Sequence, residues 1–281
     1  MRIRNWWKKD RGAKIGLCAF AAVLSLIVAA QATHPPAGSQ VNVATDQAFD
    51  SSGTIPSGCS QFMIVNVRGT RDAGDTSNRD AVTVSFAEDF TNTILADGMS
   101  ASARSSIYIT YDTPTLNTLL HVVGIPHDLH SGVVNTDNYL LPELNKCWNS
   151  IFILDGYSFG AWIVKDVYNA LPDSQRQRVL VVAFGDPTFD PLQGWDDAGT
   201  YQLLPGIYEA ASFAGPYAAR AGRDDPYPGY SGPQVHDTCL RDDLVCQSFG
   251  NTAVHENDYP PLWTLDAAIW AFNRWQAGIP V

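Results

Sequence analysis

Residues 151–171 read IFILDGYSFGAWIVKDVYNAL, and this stretch decides the fold. Its first five residues form a short apolar run typical of a buried strand, and residues 159–171 have helical spacing. Between them, residues 156–160 spell a G-x-S-x-G motif centred on Ser158. A sharp turn from strand to helix would hold Ser158 in a strained conformation, with its hydroxyl above the end of a sheet. The stretch therefore predicts a nucleophilic serine on an α/β fold.

Strand and helix patterns alternate on both sides of this stretch. Apolar runs predict strands, and amphipathic spacing predicts helices. Strands are predicted at 62–67, 107–111, 151–155 and 179–184, and helices at 81–95, 134–147 (weak, and broken by Pro142), 159–171 and 265–275. The alternation predicts a mostly parallel central sheet with helices on both faces.

The composition and net charge of the chain argue against a nucleic-acid partner. The chain has 281 residues, of which 45% are hydrophobic and 17% charged, and this is typical of a globular protein. Its formal net charge is −11, from 18 Lys and Arg against 29 Asp and Glu. Nucleic-acid binding depends on clustered Lys and Arg, so we expect no nucleic-acid partner.

The N-terminal region has the layout of a secretory signal. Residues 1–32 carry six basic residues and one acid, followed by an apolar run from about 15 to 30 and the small-x-small sequence Ala30-Gln31-Ala32. The alternative is an uncleaved membrane anchor, but a run of about 16 residues is shorter than the roughly 20 that span a bilayer. We expect cleavage after Ala32 and a secreted product without a membrane span. Residues 33–57 are rich in Pro, Gly, Ser, Thr and Ala and predict a flexible linker, which leaves 58–281 as the folded domain.

The cysteine count agrees with export. Apart from Cys18 in the apolar run, the chain has Cys59, Cys147, Cys239 and Cys246, and an even set in an exported chain is usually paired. Four cysteines allow three pairings. Cys239 and Cys246 are near enough in sequence to close a short loop, and this pairing leaves Cys59 to bond with Cys147. A zinc site is the alternative, but the chain lacks a CxxC motif, so we expect no metal.

The serine needs a base and an acid that orients the base. In this type of fold the three groups follow the chain order Ser, Asp or Glu, His. Only His236 and His255 follow Ser158, and the acid Asp243 lies between Cys239 and Cys246. His255 follows that acid whereas His236 precedes it, so His255 is the better candidate. The alternative for His255 is an ordinary surface histidine.

Two other features allow two interpretations each. His127 and His130 precede Ser158 and fit a pair of metal ligands in a loop, although exposed polar residues explain them better. Residues 186–236 are rich in Gly, Pro, Asp and aromatic residues. This insertion is either a surface segment packed on its own aromatics or a lid over a lipophilic site, since long loops in compact domains often cover active sites.

Several motifs together resemble the cutinase family of secreted α/β-hydrolases. The resemblance extends from about residue 58 to 259, and the loop that carries an acid between two cysteines is its most specific element. The matching segments are Gly58-Cys59, Val67-Arg68-Gly69-Thr70, Cys147, the G-x-S-x-G motif, Phe184-Gly185-Asp186-Pro187, Cys239-x3-Asp243-x2-Cys246 and His255-x3-Tyr259.

The resemblance implies a three-layer α/β-hydrolase sandwich and a role for each site residue. Ser158 would be the nucleophile, Asp243 the orienting acid and His255 the base, with backbone amides of Thr70 and Phe159 forming the oxyanion hole. The implied disulfides are Cys59–Cys147 and Cys239–Cys246. No cofactor is implied, and we expect a monomer.

The chain departs from the family pattern in three places. Phe159 stands where the family usually has Gln, which leaves the support of the Thr70 loop open. The spacing from Asp186 to Cys239 is long, and the extra length falls in the insertion. A C-terminal segment from 260 to 281 carries Trp263, Trp270 and Trp275, whose helical spacing favours a place in the core.

The implied reaction is hydrolysis of lipophilic carboxylic esters, such as cutin-like polyesters, short- to medium-chain acyl esters or lipids. Gly185-Asp186-Pro187 resembles the actinobacterial branch of the family, which makes envelope-lipid and mycolyl esters the alternative substrates. A secreted lipid-binding or cell-wall protein without turnover is the alternative of another class. The intact Ser, Asp and His argue against that class.

Overall fold

A parallel six-stranded sheet forms the centre of the structure. The computed structural model describes residues 54–70, 77–113, 125–189, 196–199, 234–247 and 250–278, all within the unit Thr45–Val281. The strands are β1 (Phe62–Val67), β2 (Arg104–Tyr108), β3 (Ile151–Tyr157), β4 (Val179–Phe184), β5 (Asp196–Gly199) and β6 (Val235–Cys239). Their order is β2-β1-β3-β4-β6-β5, and every described pair is parallel.

Helices cover both faces of this sheet. They are α1 (Ala81–Ala96), α2 (Ile125–Lys146), α3 (Phe159–Ala170), the short α4 (Asp173–Arg176), α5 (Thr252–Asn257) and α6 (Leu262–Gln276), with a 3-10 turn at Ala101–Ala103. Alternate residues of β1 and β3 enter two separate cores, as strand geometry requires. Met63 and Phe152 pack with α2 and α3, whereas Phe62 and Ile153 pack with α1 and α6. The predicted three-layer architecture is confirmed.

Strand β2 differs from its prediction. It spans Arg104–Tyr108, three residues earlier than the predicted 107–111, because it pairs in register with β1 from Phe62 opposite Arg104. Ile109 and Tyr111 are buried beyond the end of the strand. The apolar run therefore marked burial and not strand pairing.

Helix α2 also differs, since it begins at Ile125 and continues through Pro142 to Lys146. An internal proline costs a helix about 3 kcal/mol because it removes one hydrogen bond and crowds the preceding turn. Here Leu140 and Leu144 are fully buried on either side of Pro142, and Cys147 anchors the helix end through a disulfide. This packing offsets the cost and keeps the helix continuous.

The C-terminal helix agrees with its prediction except at its start. Helix α6 begins at Leu262 instead of residue 265, and Trp263, Trp270 and Trp275 are partly buried and pack against the core. The tryptophans therefore contribute to the core, as their spacing predicted, but keep part of their surface exposed. Among the helices of the described ranges, none has the length and apolarity needed to cross a membrane.

Two N-terminal predictions fall on residues that the structure does not describe. The predicted signal (1–32) and all but the last four residues of the predicted linker (33–57) lie outside the described ranges. Of the insertion at 186–236, only 186–189, β5 and 234–236 are described. The lid hypothesis therefore concerns residues outside the described ranges.

Candidate active site

Ser158 lies in the turn between β3 and α3, with φ 56° and ψ −122°. A positive φ is strained for a non-glycine residue, and such strain is concentrated at functional sites. The backbone N–H of Ser158 donates to the Phe184 carbonyl at the end of the neighbouring strand β4, at 2.8 Å. The turn is therefore fixed to the carboxyl edge of the sheet, where ligands bind in open α/β folds.

Close packing explains the two glycines of the motif. A Cβ at Gly160 would lie 2.0 Å from the Val67 carbonyl oxygen, and one at Gly156 would lie 2.6 Å from the Gly160 carbonyl oxygen. Neither position has room for a side chain, because α3 begins directly against the end of β1. The same packing brings the chain after β1 next to Ser158.

Asp243 and His255 form a buried hydrogen-bonded pair. Asp243 Oδ2 lies 2.9 Å from His255 Nδ1, and the two side chains are 0% and 3% exposed. The other carboxylate oxygen, Oδ1, accepts from the Val245 N–H at 2.7 Å. A proton on Nδ1 is required for donation to the carboxylate, which leaves the lone pair of the imidazole on Nε2.

Two tyrosines hold this pair. Tyr259 donates its hydroxyl to Asp243 Oδ2 at 2.6 Å, and Tyr157 donates its hydroxyl to the His255 carbonyl, also at 2.6 Å. The ring of Tyr157 also stacks on the imidazole with 4.8 Å between centroids. Burial, followed by nearby carboxylates, raises the pKa of both phenols well above its usual value. Both phenols therefore remain hydrogen-bond donors at neutral pH.

Gly185 brings the chain after β4 against the imidazole. Its φ is +59°, and a Cβ there would lie 2.7 Å from His255 Cε1 and 3.1 Å from Asp243 Oδ2. Both the backbone angle and the contact require glycine. The glycine of the Phe184-Gly185-Asp186-Pro187 motif thus provides the space that the histidine occupies.

The Ser158 hydroxyl and His255 Nε2 are both buried, and neither has a hydrogen-bond partner among the described residues. His255 stacks on Tyr157, the residue immediately before Ser158. A buried polar atom without a partner is costly and therefore calls for an explanation. Catalytic hydrogen bonds are often long in unliganded enzymes, so this unpartnered hydroxyl and imidazole nitrogen are compatible with proton transfer between them once substrate is bound.

The predicted oxyanion residues belong to two segments that meet at Ser158. Phe159 is the first residue of α3 and is fully buried. A Cβ at Gly69 would lie 2.8 Å from Ser158 Cβ, and this places the segment that ends in Thr70 beside the serine. Backbone N–H groups at a helix N-terminus favour negative charge, as an oxyanion requires.

Both predicted disulfides are present. Cys59–Cys147 joins the start of β1 to the end of α2, and Cys239–Cys246 closes the loop that carries Asp243. Phe189 packs on the second disulfide. The acid is therefore held on a short covalent loop, in which six residues lie between the two cysteines.

The remaining histidines have other surroundings. His236 lies in β6, where it stacks on Trp270 and has Nε2 3.5 Å from an Asp266 carboxylate oxygen. His127 and His130 are exposed on helix α2, not in a loop, and His127 contacts Asp128. Within the described ranges, no three His, Cys, Asp or Glu side chains form a group suited to a metal ion.

Sequence reasoning missed several residues that support the site. Asp80 and Tyr111 form hydrogen bonds with the backbone of Arg68 and Gly69. Lys165, on α3, binds two buried carboxylates. Helix α5, which carries His255, was also not predicted. The only local signals were a polar residue before a helical pattern at Asp80 and a lone lysine in an apolar helix at 165.

The sheet order, the turn at Ser158 and the chain order of serine, acid and histidine are those of an α/β-hydrolase. The family model described as Cutinase matches residues 58–275. The chain belongs to the cutinase family, and this membership makes it a serine carboxylic ester hydrolase.

Solved structures share the fold at low sequence identity. An acetyl xylan esterase is 16% identical with a TM-score of 0.55, over 79% of this chain and 100% of that chain. A cutinase-like protein from Cryptococcus sp. is 18% identical with a TM-score of 0.53, over 81% of this chain and 100% of that chain. A Trichoderma reesei cutinase in complex with a phosphonate inhibitor is 17% identical with a TM-score of 0.50, over 78% and 77%. No curated protein matches the chain by sequence.

Proposed function

We propose that the chain hydrolyses lipophilic carboxylic esters through an acyl-enzyme on Ser158, with His255 as the base and Asp243 as its orienting acid. The observation that carries the proposal is the buried 2.9 Å contact of Asp243 Oδ2 with His255 Nδ1. It leaves Nε2 without a partner among the described residues, on a ring that stacks against the residue before Ser158.

The reaction follows from these groups. His255 Nε2 takes the hydroxyl proton of Ser158 as Oγ attacks the ester carbonyl, and the N–H groups of Thr70 and Phe159 bind the oxyanion. The imidazolium then gives its proton to the leaving alcohol, and the acyl group stays on Oγ. Water attacks this acyl-enzyme as its proton passes to Nε2. The imidazolium then returns that proton to Ser158 Oγ as the bond to the acyl group breaks and the carboxylic acid leaves.

The lipophilic substrate class is supported by family membership and by exposed apolar side chains beyond the histidine. Leu262 and Leu265, in the first turn of α6, are 64% and 41% exposed. Helix α6 begins three residues after Tyr259, which binds the acid. We also propose that the enzyme works outside the cell, since two disulfides persist in oxidising compartments.

The test combines active-site labelling with substrate profiling. A serine-directed fluorophosphonate should label the wild type but not Ser158→Ala, and Ser158→Ala should lose at least about a thousandfold in kcat, as triad serines do. Turnover of p-nitrophenyl esters from C2 to C16 should have an optimum above C2. Unchanged hydrolysis by folded Ser158→Ala would contradict the proposed nucleophile.

Natural esters then define the substrate. Cutin, triacylglycerol, mycolyl glycolipid and acetylated xylan are compared at equal enzyme concentration. Acetylated xylan is included because some of the structurally similar proteins are named acetyl xylan esterases. Preference for acetylated xylan over all acyl-chain substrates would contradict the lipophilic class and leave the nucleophile unaffected.

A further inference from the structure

We propose that Tyr111 and Asp80 are positioning residues that hold the segment Arg68–Gly69–Thr70 beside Ser158, so that the Thr70 amide faces the oxyanion. The inference rests on the proposed function, because it assigns a role within that same site. It concerns the backbone that must stay in place while negative charge develops on the substrate.

Tyr111 holds this segment from one side. Its hydroxyl donates to the Arg68 carbonyl at 2.7 Å, and the residue is only 6% exposed. Burial raises the pKa of this phenol far above its usual value, so the hydroxyl remains a hydrogen-bond donor at neutral pH. A hydrogen bond between buried partners is stronger than one in water, since no solvent competes for it.

Phe159 fixes the ring of Tyr111. The two rings stack with 6.4 Å between centroids and an interplanar angle of 23°. Phe159 is also the residue whose N–H is expected to bind the oxyanion. One side chain thus connects the helix N-terminus, which carries one amide of the hole, to the tyrosine that positions the other.

Asp80 holds the segment from the other side. Its Oδ2 accepts the Gly69 N–H at 3.1 Å, while Oδ1 accepts the Thr83 N–H at 2.8 Å and so caps helix α1. Gly69 lies against Ser158, as its missing side chain requires. The carboxylate therefore ties the chain beside the serine to the first turn of a core helix.

The arginine in this segment turns back on its own backbone. Arg68 Nε donates to the Gly69 carbonyl at 3.3 Å, and Nη2 donates to the Thr70 carbonyl at 3.4 Å. Nη1 also donates to the Ser77 carbonyl. Arg68 thus binds the carbonyls of Gly69 and Thr70, Asp80 binds the Gly69 N–H, and Tyr111 binds the Arg68 carbonyl. These hydrogen bonds leave the peptide groups of the segment little freedom to rotate.

The test removes one hydroxyl and compares two tyrosines. Tyr111→Phe keeps the ring on Phe159 and deletes only the bond to the Arg68 carbonyl. Tyr168→Phe is the matched control, because Tyr168 is also buried and donates to Gln234 Oε1 at 3.0 Å. It lies near the C-terminal end of α3, eight residues beyond Gly160, where the helix contacts the segment. Both variants lose one buried tyrosine hydrogen bond.

We expect Tyr111→Phe to lower kcat on p-nitrophenyl butyrate by ten- to a hundredfold with KM changed less than threefold. A displacement of about 1 Å can cost a hundredfold, and the oxyanion forms only after binding. Tyr168→Phe should retain kcat within twofold. Circular dichroism and thermal melting verify that both variants fold.

Asp80→Asn gives an independent measurement. Its amide oxygen can still cap α1 at Thr83, while its NH2 group faces the Gly69 N–H and cannot accept from it. We expect a loss of kcat of at least fivefold, again with little change in KM. A fall that appears in KM alone would contradict a positioning role.

Two outcomes separate this inference from the proposed function. If Ser158→Ala is inactive while folded Tyr111→Phe keeps the wild-type kcat, the positioning role is wrong and the triad stands. If folded Ser158→Ala remains active, the proposed function itself fails, whatever the tyrosine variants do.

Discussion

Asp155 is a buried carboxyl group in the middle of strand β3. It is fully buried, and neither of its oxygens has a hydrogen-bond partner among the described residues. Burial, and then the nearby carboxylate of Asp80, raise the pKa of Asp155 well above its usual value. The folded protein therefore holds this group in its neutral form at pH values where the unfolded chain has already lost the proton.

This binding of a proton makes stability depend on pH. Between the unfolded pKa near 3.8 and the raised folded pKa, the native state binds one proton more than the unfolded state. The free energy of unfolding should therefore fall by up to about 1.4 kcal/mol for each unit of rising pH in that window. Asp155→Asn, which mimics the neutral acid, should remove this contribution.

Urea unfolding of the wild type and of Asp155→Asn from pH 4 to 8 measures this contribution to stability. The stability of Asp155→Asn relative to wild type should increase with pH. The same change at exposed Asp112 controls for the loss of one negative charge. A difference between Asp155→Asn and wild type that does not vary with pH would contradict the raised pKa.

At the scale of elements, Lys165 connects three pieces of the fold. It lies on α3, is 2% exposed, and binds the carboxylates of Asp186 after β4 and Asp237 in β6. Burial alone would lower the pKa of Lys165, but the two carboxylates outweigh it and raise the pKa. The charged form therefore persists, and it ties α3 to the segment next to Gly185.

Lys165→Met should destabilise the protein by about 3–5 kcal/mol, because it leaves buried carboxylates without their cation. Lys146→Met is the matched control, since Lys146 forms an exposed pair with Glu143 at 3.2 Å whose loss should cost less than about 1 kcal/mol. Chemical unfolding measures both. Equal effects of the two substitutions would show that the buried network does not stabilise the fold.

The sequence could predict elements whose signal is local. Strand β1, helix α1 and the unit from β3 to α3 were found because their apolar spacing matches the face that each one buries. Helix α2 was predicted to begin at 134 instead of 125 and to be broken by Pro142, because its local pattern is weak, whereas the contacts that keep the helix continuous come from distant parts of the chain. Helix α5 is only six residues long, too short for a periodic pattern to be recognised.

The residues of the candidate site also fall into those with a local sequence signal and those without one. Ser158, Asp243 and His255 could be predicted because a motif, a pair of cysteines and the chain order identify them. The roles of Tyr111 and Lys165 could not be predicted, because their partners are distant in sequence. The partner of Tyr111 lies 43 residues away, and those of Lys165 lie 21 and 72 residues away. Such contacts exist only once the sheet has formed.

At the scale of the whole molecule, the two disulfides should have different effects when removed. Cys59–Cys147 spans 88 residues and Cys239–Cys246 spans 7. Chain entropy predicts losses of about 4.6 and about 2.4 kcal/mol, respectively, at 25 °C. The longer bond should therefore contribute more to stability, and the shorter one should matter more to catalysis because its loop carries Asp243.

Paired Cys→Ala variants test this. Cys59→Ala with Cys147→Ala should lower the unfolding free energy more while folded protein keeps most of its kcat. Cys239→Ala with Cys246→Ala should lower kcat more and stability less. Unfolding curves and turnover of p-nitrophenyl butyrate measure both quantities, and the reverse ranking in either would contradict the division of roles.

The chain order of the site has a consequence for synthesis. Ser158 is synthesised 97 residues before His255 and 101 residues before Tyr259. With the proposed triad, an unfinished or prematurely terminated polypeptide holds a strained serine and no base to activate it. Under that proposal, hydrolysis requires synthesis to have passed His255, so a nascent chain that has reached only Ser158 does not attack esters of the cell that makes it.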